Sequence, residues 1–75
     1  MVGVQWKPNV RLIDEARLQR LWSLRKLALE SRVSYPTILN LYLGRTRPNF
    51  LTLDRIAMAL QLRPVDLIEI DPGDS

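Results

Sequence analysis

Neither cysteine nor histidine occurs in the 75-residue sequence, and these two absences remove several function classes at once. No disulfide can staple the fold, the usual zinc and haem ligand sets cannot be assembled, and Cys-His and Ser-His-Asp catalytic arrangements are out of reach. Long apolar runs are also missing. None approaches the roughly 20 residues needed to cross a bilayer, and no charged stretch precedes a long apolar region near Met1. The expectation is a soluble cytoplasmic protein with no membrane attachment, no cofactor and no evident small-molecule ligand, stabilised by packing alone. Low-complexity segments and internal repeats are absent too. With 47% hydrophobic and 25% charged residues the composition is that of an ordinary globular chain. At this length roughly 60 to 65% of the unfolded surface can be buried, enough for one core and one domain over residues 1–75.

Acidic residues are scarce over most of the chain. Residues 1–63 hold all eleven Lys and Arg against Asp14, Glu15, Glu30 and Asp54, a net +7. The last twelve residues hold four acids, Asp66, Glu69, Asp71 and Asp74, and no base. The total of +3 is common for a small domain and says little alone; a basic body with an acidic end is compatible with an anionic partner.

Helix punctuation is dense between two short strand-like ends. Met1 to Pro8 alternates apolar and polar at Val2, Val4 and Trp6, and Leu67 to Asp71 is β-branched at two positions and stopped by Pro72-Gly73, so the two ends can pair as a ribbon. Asn9 caps a first helix to about Leu21, with Ile13 and Ala16 inward and Asp14 and Glu15 near its positive end. Ser23 caps a second helix, Leu24 to about Ser31. Ser34 caps a third, Tyr35 to about Leu43, in which Pro36 is tolerated in the first turn, and Gly44 ends it. Asn49 caps a fourth, Phe50 to Gln61, with Leu53, Ile56, Ala57 and Leu60 at core-facing spacing. Pro64 starts a short fifth element carrying Val65, Leu67 and Ile68. The fold class expected is all-α, five helices, with a two-stranded ribbon from the termini.

Only Arg32 and Val33 separate the second helix from the Ser34 cap, so the two helices meet steeply, as in a helix-turn-helix over about residues 23–43. Ala28 is small enough to let the backbones approach, and Ile38 can fill the corner. With Ser23, Leu27-Ala28, Val33-Ser34, Thr37-Ile38, the Gly44-Arg45-Thr46-Arg47-Pro48 loop, Thr52-Leu53, Ile56-Ala57, Ala59-Leu60 and Asp66-Leu67, the chain resembles the Cro and phage-repressor type of helix-turn-helix regulators from about Ile13 to Ile68. The resemblance implies a lambda-repressor-like DNA-binding domain whose third helix enters the major groove. Three positions depart from the family pattern: Leu24 stands where glutamine is frequent, Arg32 where glycine is usual, and Leu43 where a polar residue often touches a phosphate.

The resemblance also assigns candidate roles. Asn40 can pair bidentately with an adenine edge. Tyr35 can reach a base or phosphate or simply pack on Pro36, and Pro36 and Leu39 suit a thymine methyl or a protein partner. Arg45, Thr46 and Arg47 form a loop placed to clamp a phosphate, or a plain solubilising loop. Ser23, Arg25 and Thr37 complete the phosphate candidates, although capping alone explains Ser23. Arg17 matches a bracing arginine, and Trp6 and Trp22 are read as core or strand cover.

The function implied is sequence-specific binding of double-stranded DNA by a prokaryotic or phage-like transcriptional regulator, as a homodimer joined through the terminal strands or the fifth element. The competing reading is a protein-interaction module, motivated by Leu24, Leu39 and Leu43. No pocketed pair of carboxylates is recognisable, so an enzyme is not expected.

Overall fold

In the computed structural model, which describes residues 5–71, the order of elements is β1 (Gln5–Pro8), α1 (Val10–Gln19), α2 (Leu24–Ser31), α3 (Tyr35–Leu43), α4 (Phe50–Leu60), a 3₁₀ turn (Pro64–Leu67) and β2 (Ile68–Asp71). Val2, Val4 and the Pro72-Gly73 stop lie outside the described residues.

All four caps expected from the sequence form. The side chains of Asn9, Ser23, Ser34 and Asn49 accept the N–H three residues on, from Leu12, Lys26, Thr37 and Thr52. Each such bond satisfies one of the donors that a helix start leaves free. The helix ends are also alike. Leu21, Arg32, Gly44 and Gln61 all adopt positive φ. The next residue then donates back five positions, from Trp22 to Arg17, Val33 to Ala28, Arg45 to Asn40 and Leu62 to Ala57. This is the left-handed stop that closes a helix and turns the chain away.

Three expectations are corrected. The first helix stops at Gln19, because Leu21 is already left-handed and Arg17 draws the chain back by accepting from Trp22. Its first turn carries no acid; Glu15 pairs with Arg11 at 3.4 Å and Asp14 serves another network. The fifth helix is not one: four α-helices are present among the described residues, and Pro64–Leu67 is a single 3₁₀ turn. Ile68 is claimed by β2, where it pairs with Pro8, and that leaves only four residues between Arg63 and the strand.

The antiparallel ribbon pairs Trp6 with Ile70 and Lys7 with Glu69. The Asn9 N–H donates to the Leu67 carbonyl at 2.7 Å, tying the start of α1 to the 3₁₀ turn. One apolar core joins all the helices: Ile13 from α1, Leu27 and Ala28 from α2, Val33, Ile38 and Leu41 around α3, Leu53, Ile56, Ala57 and Leu60 from α4, and Leu67. Complete burial of an Ile or Leu contributes about 1.5–3 kcal/mol each, which makes this cluster the main source of stability. Ser31, the one buried polar residue in the described chain, donates its hydroxyl to the Leu27 carbonyl at 2.6 Å. No helix of the described chain is long and apolar enough to cross a membrane.

Candidate nucleic-acid interface

The turn between α2 and α3 is held from both sides. Ala28 and Ile38 are both buried in the core, as the tight crossing requires. Arg32 accepts the left-handed conformation (φ 60°, ψ 37°) that the usual glycine would take without cost. Its carbonyl receives Arg55 Nη1 of α4 at 3.3 Å, so α4 supports the turn.

The far end of α3 is tied to α1. Arg17 Nη2 donates to Asp14 Oδ1 at 2.6 Å and Nη1 donates to the Trp22 carbonyl at 2.6 Å. The Tyr42 hydroxyl donates to the same Asp14 oxygen at 2.9 Å. The hydrogen bond from Arg17, with a second from Tyr42, holds the Asp14 carboxyl below the usual carboxylate range. Asp14 in turn raises Arg17 above its ordinary value. Burial pushes the Tyr42 phenol up to about 12. The bracing role expected of Arg17 is thus what the geometry displays, and Tyr42, whose place in it no local pattern signals, is its third member.

With α3 fixed along its inner side by Ile38 and Leu41, the opposite side carries Pro36, Leu39, Asn40 and Leu43, at i, i+3, i+4 and i+7. Pro36 and Leu43 are exposed; Leu39 and Asn40 are half-buried. Tyr35 is five residues before Asn40, about 140° away around the helix, and therefore flanks this face instead of sharing it. Its half-buried ring lies under Arg25, whose guanidinium carbon is 4.2 Å from the ring centre. The sequence offered Arg25 and Tyr35 as separate candidates; the fold brings them into one cation–π contact at the head of α3. Thr37, half-buried, shares a 2.7 Å hydrogen bond with the Ser34 hydroxyl. Ser23 is exposed, and its hydroxyl accepts from Lys26 N–H.

At the other end of α3, Gly44 (φ 71°) starts the loop; a β-carbon there would meet nothing, so glycine is needed for its backbone conformation and not for space. Pro48 is buried and anchors the loop, while Arg45, Thr46 and Arg47 stand exposed. Arg47 lies over the ring of Trp6, 5.1 Å from its centre, and Trp6 stacks on Phe50 at 5.4 Å. Among the described residues Arg25, Arg45 and Arg47 have no carboxylate within 4.0 Å, whereas Lys7, Arg11, Arg17, Lys26 and Arg63 are all ion-paired. The cations left unpaired therefore include one at the head of the α3 face and two just beyond its end.

Of the leucines that motivated the protein-interaction reading, Leu24 packs against the core, while half-buried Leu39 and exposed Leu43 lie one turn apart on the outer side of α3. Among the described residues no group of His, Cys, Asp and Glu could hold a metal ion.

The sequence model of the helix-turn-helix family matches residues 13–67, from α1 through the 3₁₀ turn, and leaves both strands outside the match. No curated protein and no solved structure matches the chain.

Proposed function

The chain belongs to the Cro/C1-type helix-turn-helix family, and on that premise we propose that it is a sequence-specific double-stranded DNA-binding transcriptional regulator with α3 as its reading helix. One observation carries this reading: an outward α3 face of exposed Pro36 and Leu43 with half-buried Leu39 and Asn40, flanked at its two ends by Arg25 and by Arg45 and Arg47, which have no carboxylate partner among the described residues. Nine residues make α3 about 13 Å long. A B-DNA major groove is about 12 Å wide, so a helix of this length set into it brings cations at both ends towards the phosphate ridges.

The division of labour follows from chemistry. Arg25, Arg45 and Arg47, with Ser23, Thr37 and Thr46, set register on the backbone and add affinity that weakens with salt. Asn40 offers the amide donor and acceptor that match the adenine edge, and Pro36 and Leu39 offer apolar contact to thymine methyls. The activity is binding, with no catalytic step. One such helix spans few base pairs, so useful specificity calls for two copies on half-sites about one helical turn apart, supplied by a homodimer acting on DNA in the cytoplasm of a prokaryotic host.

Selection of bound duplexes from a random pool tests the proposal. An enriched inverted repeat is expected, and Asn40→Ala should relax preference at one position of each half-site by about 1–3 kcal/mol. A pool that stays unenriched at low salt would overturn the reading.

A further inference from the structure

The contact between Arg47 and Trp6 directs attention to a surface outside α3. A groove of about 620 Å³ lies between the end of β1 with the start of α1 on one side and the end of α3 with its following loop on the other. Lys7, Arg11, Arg45 and Arg47 line it, and Glu69 is the one carboxylate among its lining residues. Two of these cations hold only exposed partners. Lys7 meets Glu69 at 3.7 Å with its side chain 71% exposed, and Arg11 meets Glu15 at 3.4 Å with its side chain 88% exposed. Ion pairs this exposed contribute little, so both cations can turn to a stronger anion at small cost. Arg45 and Arg47 have no carboxylate partner among the described residues.

Arg47 is the cation whose direction is set by something other than charge. Trp6 is fixed in the ribbon opposite Ile70 and stacked on Phe50, the first residue of α4. A guanidinium resting on that ring gives up part of its rotamer freedom before any anion arrives, which lowers the ordering cost at binding. The groove is open and its cations are spread over β1, α1 and the loop, continuous with the end of α3. That layout suits an extended polyanion with a charge at every 3.4 Å of axis per strand better than a compact anion. We infer that this groove binds a second run of duplex phosphates, flanking the base pairs under α3, and that Trp6 is the positioning residue that holds Arg47 for it. The inference rests on the regulator reading above and extends its contact surface to the ribbon.

The test is an anisotropy titration of a wild-type-selected duplex against salt, with melts confirming that each variant folds. Lys7→Ala/Arg11→Ala should make the slope of log Kobs against log[salt] shallower by about two units, since each phosphate contact contributes about 0.9. Trp6→Leu should weaken binding about three- to fivefold, the worth of an exposed cation–π contact, and Trp6→Phe should restore most of it. In an Arg47→Ala background Trp6→Leu should have no further effect. An equal loss with and without Arg47 would make Trp6 purely structural and overturn its positioning role. An unchanged slope for the Lys7/Arg11 variant would remove the groove, and that variant decides the matter if Trp6→Leu fails to fold. Loss of the groove with the selected duplex still bound would leave the regulator reading standing; a wild-type protein that selects no duplex would remove both.

Discussion

Arg32 occupies a left-handed position where its β-carbon crowds the backbone, and its exposed side chain gains nothing visible in return. Arg32→Gly should therefore raise stability by up to about 1 kcal/mol, and the melting temperature by roughly 4–8 °C per kcal/mol gained; a lower melting temperature would contradict the strain. The resemblance marked this position beforehand, since glycine is usual there, but left open whether Arg32 turns left-handed or the turn shifts slightly; the fold takes the left-handed course. Leu21 was not legible, since the apolar spacing of α1 runs on past it. Asp14 supplies a second residue-level prediction. Its folded-state pKa lies below the unfolded one because Arg17 and then Tyr42 donate to it. Its contribution is thus fully present above about pH 4, the unfolded carboxylate value, and is lost as pH falls through the depressed folded value. Asp14→Asn should lower stability at neutral pH and flatten the acid limb of the stability profile, measured by urea unfolding between pH 2 and 6. Tyr42 acts at the opposite end of the scale: with its phenol at about 12 when folded, its contribution is present below the unfolded value near 10 and declines as pH rises towards 12.

The start of α3 illustrates what an element needs from its own sequence. Ser34 accepts from the Thr37 N–H at 3.3 Å and shares a hydrogen bond with the Thr37 hydroxyl. Ser34→Ala should cost about 1 kcal/mol in urea unfolding, while Ser34→Asn, which keeps an acceptor in place, should cost only a few tenths. Equal losses would show that the cap adds nothing beyond the core contacts of Ile38. Capping chemistry spans three residues, and for that reason all four helix starts could be read from the chain. Helix ends were less exact. α1 closes two residues early, and the element after Pro64 remains a single 3₁₀ turn because strand pairing with Pro8 takes Ile68. That competition lies between residues sixty positions apart in the chain, and no window around Pro64 contains it.

At the scale of the whole molecule the test is electrostatic. Arg45→Ala/Arg47→Ala should weaken binding to every duplex alike and flatten the salt dependence by about one to two units of slope; an unchanged slope would exclude the loop from the contact surface. The same loop marks the limit of sequence reading. Its three exposed residues were recognisable from Gly44 and Pro48, but nothing near them pointed to Trp6, forty-one residues earlier, as the ring beneath Arg47. The same holds for Tyr42 joining Asp14 and Arg17, and for Arg20, which donates to the Leu60 carbonyl at the end of α4. The sequence by itself determined four capped helices, the narrow turn between α2 and α3 and most of the apolar residues that fill the core, because caps, turn lengths and helical spacing act within a few residues. Only the tertiary structure decided which cations remain unpaired, which aromatic ring carries each arginine and where the fifth element ends, because those outcomes depend on how distant segments cross.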